Sequence, residues 1–289
     1  MGAAEDIGEG LARWLADELG DPAVKIENLA RTSVGFSREN WVFDAVWHEN
    51  GQSRSGRFIA RRDPAGSVLD TDRRVEGAVL KSLEGTAVPV PPTLWIDFEG
   101  TRLGRPSIVM ERVDGICDYM ALNGTRPLDR RSVIAHRRSD RLADIHLLDW
   151  RARGLGQVLA YPGPNAASAA VDHWEGVLRR VQLEPEPELD LAIAWLRAHA
   201  PTSQATVLVH GDFKPGNVLM QGDDVAYVLD WETAHLGDSL EDIGWVTNPL
   251  RAGEQQIAGH WGPAEIAARW SERTGFAADA KSIRWWNVL

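Results

Sequence analysis

Cysteine occurs once in 289 residues, at Cys117, so the sequence builds neither an internal disulfide nor a cysteine-based zinc site. A lone thiol fits a reducing compartment, and a cytoplasmic location is expected. No apolar run approaches the roughly 18 residues that mark a membrane span. The N-terminus carries Glu5, Asp6 and Glu9 in place of the basic stretch and apolar run of a secretion signal, so a soluble chain with no membrane partner is expected. Basic charge is short as well: 31 Lys and Arg stand against 42 Asp and Glu, a formal net charge of −11. Binding to a nucleic acid needs clustered cations along a phosphate backbone, and this balance argues against it. A single nucleotide is still allowed, because a few local donors and a metal ion suffice to hold one. Tyrosine and phenylalanine are few, at 3 and 6, whereas tryptophan reaches 13, a surplus assigned to core and packing edges. There is no internal repeat or low-complexity tract, and nothing assigns an oligomeric state. The length accommodates one large domain or two lobes.

The chemistry that is present concentrates in residues 206–232. Short apolar runs at 207–209, 218–220 and 225–229 are bounded by Gly, Pro and Asp and read as strands joined by polar turns. Asp212, Asn217 and Asp230 stand at their ends, five and then thirteen residues apart. That spacing matches a phosphoryl-transfer site, in which an Asp orients the acceptor hydroxyl and an Asn and a second Asp hold magnesium. A carboxylate at Asp212 suits proton uptake from the acceptor. Asn217 and Asp230 offer the hard oxygens that Mg²⁺ prefers, and Pro215 and Gly216 bend the chain so that Asn217 turns back towards Asp212. Lys214 reads either as a contact to the transferring phosphoryl group or as a solvated loop lysine. His210 reads as a structural side chain bonded to backbone near Asp230, and Trp231 as a packing residue. Asp238 and Asp242 read as carboxylates that stabilise a loop and helix start.

Upstream, the apolar spacing predicts a helix over 7–19, closed by Gly20, Asp21 and Pro22. Strands are predicted at 24–29, 40–47, 57–61, 93–97 and 107–112, with a polar turn at 49–56. A helix at 72–83 carries Glu76. Together these give a five-stranded antiparallel sheet with one helix packed on it, and a lobe boundary that divides the chain into 1–113 and 114–289. Between the first two strands, Ser33, Gly35 and Ser37 lie on a loop that either lays backbone N–H groups on phosphates or is an ordinary hairpin. Arg61 and Glu76 read as a strand cation facing a helix carboxylate, as in a kinase nucleotide site, or as surface charge. The segment after Met110 reads as a hinge that exposes backbone to an adenine edge, or as a simple turn. Downstream, helices are predicted at 129–149, 169–181 and 188–200, with a loop and helix start at 235–244. Arg130, Arg131, Arg137, Arg138 and Arg141 are assigned to a solvated helix face. Residues 154–289 contain 9 basic and 18 acidic side chains, which favours a cationic or neutral acceptor.

Three motifs in order carry a family resemblance: Val209-His-Gly-Asp-Phe-Lys-Pro-Gly-Asn-Val-Leu219, Val228-Leu-Asp-Trp-Glu232, and Leu236-Gly-Asp238 through Asp242-Ile-Gly-Trp245. With Gly35-Phe-Ser-Arg-Glu-Asn-Trp41, Phe58-Ile-Ala-Arg-Arg-Asp-Pro64, Val75-Glu76 and Val88-Pro-Val-Pro91, the sequence resembles the aminoglycoside phosphotransferase/choline kinase-like family. The likeness is greatest to the branch that also occurs fused to acyl-CoA dehydrogenases. The resemblance implies an α+β, protein-kinase-like bilobal fold with an antiparallel β-rich N-lobe and a mainly helical C-lobe. It implies ATP and Mg²⁺ as cofactors and a small-molecule hydroxyl as acceptor. Asp212 is then the catalytic base, and Asn217 and Asp230 are the magnesium ligands. Met110, Glu111 and Val113 belong to the adenine hinge, and Ser33, Gly35 and Ser37 to the nucleotide loop. Arg61 stands where many relatives have a phosphate-contacting Lys, with Glu76 as its partner; strand phase leaves Arg62 as the alternative. Relatives continue for several helical turns beyond a segment like 282–289, so a truncated chain is expected, with part of the acceptor pocket absent and exposed tryptophan surface that favours self-association.

The leading expectation is therefore an ATP/Mg²⁺-dependent small-molecule O-phosphotransferase. The alternative is a catalytically silent nucleotide-binding regulator, suggested by the single glycine of the 31–38 loop and by arginine at the usual lysine position.

Overall fold

A computed structural model describes residues 3–32, 38–64 and 73–289. They fall into two compact units, residues 1–84 with 90–114 and residues 85–89 with 115–289.

The first unit opens with α1 (Ala3–Leu19), then β1 (Lys25–Arg31), β2 (Glu39–Glu49), β3 (Gln52–Arg62), α2 (Arg73–Leu83), β4 (Thr93–Asp97) and β5 (Ser107–Glu111). The strands form one antiparallel sheet in the order β1-β2-β3-β5-β4. β2 and β3 pair without interruption from Glu39↔Arg62 to Glu49↔Gln52, and the hairpin tip is Asn50-Gly51, both at positive φ (52° and 76°). Such a tip matches the twist of the strands it joins. The polar turn expected over 49–56 is thus two residues long, and most of that stretch is strand. Its residues are solvated at the outer end of the hairpin, so they show no apolar alternation to announce a strand.

Trp41, Phe43, Phe58, Ala60 and Val109 are buried together with Ile7, Leu11, Trp14 and Leu15 of α1. Phe58 is central, with ring centroids 5.5 Å from Phe43 and 6.0 Å from Trp95. Each large apolar side chain so placed contributes about 1.5–3 kcal/mol. Two helices therefore pack on the sheet where the sequence led to one. α1 covers the face that Trp41 and Phe58 occupy, and α2 meets the face to which Arg61 points.

The second unit contains α3 (Leu128–His146), α4 (Ala166–Val181), α5 (Pro187–Ala198), β6 (Thr206–Val209), β7 (Val218–Gln221), β8 (Asp224–Val228), β9 (His235–Asp238), α6 (Glu241–Thr247), α7 (Ala252–Gln255), α8 (Pro263–Thr274) and α9 (Ala280–Val288). β7 and β8 form a hairpin, and β6 pairs antiparallel with β9 from Thr206↔Asp238 to Val209↔His235. β9 lies where the sequence predicts a loop, because His-Leu-Gly-Asp has no strand signature; its conformation comes from pairing with β6. The α+β class is as expected, a sheet-rich N-terminal region followed by a mainly helical one.

At α9 the expectation of exposed tryptophan is corrected. Trp285 and Trp286 are buried, and Trp285 Nε1 donates to the Leu196 carbonyl at 3.0 Å. Among the described residues no helix is long and apolar enough to cross a membrane.

Candidate active site

β6 delivers the chain into a loop whose backbone is held from below by a buried carboxylate. Asp242, in the first turn of α6, accepts the His210 N–H at 2.8 Å and the Gly211 N–H at 2.9 Å. Its Oδ2 is also 3.1 Å from His146 Nε2 at the end of α3, and His146 Nδ1 accepts the Trp270 indole N–H of α8 at 2.9 Å. That indole fixes the tautomer: Nδ1 is the acceptor, so Nε2 carries the proton donated to Asp242. Burial alone would push the Asp242 carboxyl up, but His146 and the His210 N–H outweigh it and hold it below the usual carboxylate range.

The loop geometry depends on Gly211, which sits at φ 81°, where a Cβ would come within 2.9 Å of Thr233 Oγ1 and 3.0 Å of the Thr233 carbonyl. Thr233 Oγ1 in turn donates to the His210 carbonyl at 2.9 Å. His210 is wholly buried against Trp231, with ring centroids 4.7 Å apart. Its Nδ1 accepts the Asp212 N–H at 3.2 Å and its Nε2 donates to the Leu229 carbonyl at 2.9 Å. One imidazole therefore ties the residue before Asp230 to the backbone of Asp212.

Asp212 projects from this frame. Asn217 Nδ2 donates to its Oδ2 at 2.9 Å and to its carbonyl at 3.0 Å, and Lys214 Nζ lies 2.5 Å from the same Oδ2. The Asn217 carbonyl accepts the Leu229 N–H at 2.8 Å, which brings Asp230 beside it. Asp230 adopts a left-handed conformation (φ 64°, ψ 61°), uncommon for a side chain with a Cβ and a feature that clusters at functional sites. With its amide nitrogen committed to Asp212, Asn217 keeps Oδ1 as a hard oxygen, and the Asp230 carboxylate is carried by the residue after Leu229, whose N–H the Asn217 carbonyl holds. This donor set fits Mg²⁺, which takes few protein ligands alongside phosphate oxygens and water.

A second brace comes from α3. Arg138 is buried under the loop, with its guanidinium 5.5 Å from the Phe213 ring centroid and 2.7 Å from Gln255 Oε1; Gln255 Nε2 donates to the Phe213 carbonyl at 2.8 Å. Burial pulls the Arg138 guanidinium down to about 10. The solvated-face reading of Arg138 is thus corrected. It lies four residues from both Ile134 and Leu142, in the apolar stripe of α3, and that phase was the signal available in the sequence.

In the first unit, Arg61 NH1 lies 2.9 Å from Glu76 Oε1, while Arg62, next along β3, faces Glu39 on the opposite side. Glu76 is not Arg61's alone: Arg73 NH1 is 2.5 Å from its Oε2 and Arg38 NH2 is 3.9 Å away. Arg73 and Arg38 also pair with Asp63. Burial lowers the Arg73 guanidinium, and Glu76 counters it. The two extra arginines were not singled out from the sequence, since they lie 23 residues before and 12 after Arg61 without a shared spacing.

Met110 and Glu111 close β5, with Met110 buried, and Val113 follows in the segment that ends the unit. The Glu111 N–H is taken by the Pro92 carbonyl and the Arg112 N–H by the Arg57 carbonyl, both at 2.9 Å. Ser33, Gly35 and Ser37 lie outside the described residues.

The sequence profile of the phosphotransferase enzyme family matches residues 35–286. The chain belongs to that family. It is 30% identical over 194 residues to acyl-CoA dehydrogenase family member 10 of Mus musculus, a match covering 65% of this chain and 18% of that protein. The chain thus spans under a fifth of that curated relative's length. Among solved structures it resembles a candidate aminoglycoside phosphotransferase from Ralstonia eutropha, with a TM-score of 0.68 and 25% identity over 93% of this chain and 80% of that one. It also shares its fold with an aminoglycoside phosphotransferase solved in ternary complex with AMP-PNP and hygromycin B, with a TM-score of 0.60 and 17% identity over 96% and 87% of the two chains.

Proposed function

We propose that this phosphotransferase-family chain moves the γ-phosphoryl group of ATP to a hydroxyl of a small molecule, with Mg²⁺ as the metal. The observation that carries the reading is the Asp212 carboxylate, fixed by Asn217 and Lys214 on a loop that Asp242 holds by its backbone. In this reading Asp212 orients the acceptor hydroxyl and takes up its proton as the oxygen attacks phosphorus. Asn217 and Asp230 hold the metal, which neutralises charge on the phosphate oxygens when bound. Lys214 reaches the transferring group from its position against Asp212. Arg61, oriented by Glu76, contacts the donor phosphates, with Ser33, Gly35 and Ser37 on the preceding loop. Since the Glu111 and Arg112 N–H groups are used within the sheet, the Val113 backbone is the first donor left for the base.

The nucleotide analogue and hygromycin B in the related ternary complex support ATP as donor and a small hydroxyl compound as acceptor. The reading includes a cytoplasmic location, with neither nucleic acid nor membrane as a partner; the single cysteine and the net charge of −11 support it. Asp212→Asn should leave Mg·ATP binding in place and lower turnover about a thousandfold on any acceptor found by an ATP-consumption screen. Unchanged turnover would sink the assignment. A second reading, a silent nucleotide-binding regulator, is favoured by one observation, the sharing of Glu76 among three arginines. A thermal shift with Mg·ATP but no phosphorylated product across the screen would select it.

A further inference from the structure

At the end of the sheet where β2 begins and β3 ends, three arginines gather on one carboxylate. Glu39 lies opposite Arg62 in the β2–β3 register, and Arg62 NH1 is 3.4 Å from its Oε2. Arg105, from the β4–β5 connection, places NH1 3.3 Å from Oε1, and Arg31 NH2 lies 3.9 Å from the same oxygen. Arg31 pairs with Trp41, two residues beyond Glu39, so Arg31, Glu39 and Arg62 share one face of the sheet. Arg61 points to the other face, towards Glu76.

The three contacts are longer than the 2.7–2.9 Å usual for a charge-assisted bond between nitrogen and carboxylate. Three guanidiniums offer on the order of fifteen N–H donors, against about four lone-pair sites on Glu39. Arg105 uses one more on the Asp63 carbonyl at 2.8 Å, and Arg62 Nε is buried with no hydrogen-bond partner among the described residues. Among the described residues the group thus holds three positive charges and one negative, in a unit that is acidic as a whole. Burial, and then repulsion from Arg105, pulls the Arg62 guanidinium down.

We propose that Arg31, Arg62 and Arg105 form a binding site for a phosphomonoester dianion, separate from the phosphate contact assigned to Arg61. A dianion brings the formal balance to zero, which a carboxylate does not. Its three terminal oxygens match planar guanidinium forks, whose geometry favours phosphate over a spherical anion. Glu39 spaces the arginines before the ligand arrives. The site stands whether or not the chain transfers phosphoryl groups, because none of its residues belongs to the Asp212 loop.

The test is calorimetric titration of the full chain with inorganic phosphate at constant ionic strength, with circular dichroism to verify folding. Arg31→Gln removes a half-exposed side chain at the sheet edge, so it should fold normally and weaken phosphate about tenfold, the loss of one charge-assisted bond. Arg105→Gln should do the same. Glu39→Gln should strengthen phosphate binding several-fold, because a competing anion is gone, and phosphate should restore that variant's melting temperature. Phenyl phosphate in a parallel titration separates the sources: tighter binding than inorganic phosphate supports a phosphorylated organic ligand, and equal binding supports the free ion. Absence of phosphate binding overturns the proposal. So does binding that survives Arg31→Gln and Arg105→Gln but is lost in Arg61→Gln, since the ion then sits at Glu76.

Discussion

Asp242 and Glu76 are both fully buried carboxylates ringed by donors, one in each unit, but the donors differ in kind. Asp242 is met by two backbone N–H groups and an imidazole whose tautomer Trp270 sets. These are dipoles fixed by strand and helix ends, so the carboxylate has one geometry and passes it to the loop that carries Asp212. Glu76 is met by three guanidiniums on flexible stems, from β3, from α2 and from the residue before β2. Its arrangement is a balance of charges. A frame of dipoles suits a group whose position must be constant, whereas a charge cluster suits a place where an anionic ligand enters and shifts the balance.

Charge removal at constant shape probes the difference most strongly. Glu76→Gln leaves guanidiniums packed around a neutral amide and should cost about 3–5 kcal/mol in chemical denaturation, the range for breaking a buried ion pair from one side. Part of that loss should return at high ionic strength, because added anions screen the cluster. A cost below about 1 kcal/mol would mean that the arginines draw their stability from other partners. Asp242→Asn turns an NH₂ group towards a backbone N–H and should cost about 3 kcal/mol with little response to salt. It should also lower turnover with only a small change in nucleotide affinity. Equal salt sensitivity in the two variants would erase the distinction between frame and cluster.

Local chemistry was legible in the sequence and long-range support was not. Asp212, Lys214 and Asn217 span six residues, and the Pro215-Gly216 bend sets their geometry, so spacing was enough to bring them together. Arg61 with Glu76 needed only a strand followed by a helix. By contrast, Asp242 meets His210 across 32 residues, His146 across 96, and reaches Trp270 only through His146. No local pattern announces such a meeting, and the sequence alone presents Asp242 as a stabiliser of its own loop and helix start. Arg138 failed for another reason. Its neighbours Arg130, Arg131 and Arg137 are charged as well, and composition outweighed the phase that puts it in the apolar stripe. β9 escaped because strand pairing with β6, and not intrinsic preference, makes it extended.

A smaller effect tests how rigid the frame is. Gly211→Ala forces a Cβ into a left-handed backbone, at about 1–2 kcal/mol, and presses it against Thr233 Oγ1. Stability should fall by about 2 kcal/mol and turnover with it. Thr233→Ala in the same chain removes the side-chain collision but not the φ cost, so it should recover part of the stability. Full recovery would show that crowding alone, without backbone conformation, demands glycine there.

The smallest expected effect is a pH dependence at the edge of this frame. His235, the first residue of β9, places Nε2 3.0 Å from Glu241 Oε1 and Nδ1 2.9 Å from the Thr233 carbonyl, with Asp242 also near enough to favour its charged form. Burial pulls the imidazole down, but Glu241 outweighs it and raises His235 to about 9 from an ordinary 6.5. A group raised on folding binds its proton more tightly in the native state. The stability it contributes is therefore complete below pH 6.5 and is lost as pH rises through 9. The His235 side chain is 43% exposed, so solvent screens the pair and the contribution stays small. Denaturation of the native chain and of His235→Gln at pH 6 and pH 10 isolates it, since every other titration is common to both. The native chain should lose more stability over that interval than the variant. Identical losses would place His235 outside the electrostatics of the loop and leave Asp242 with backbone dipoles and His146 as its whole support.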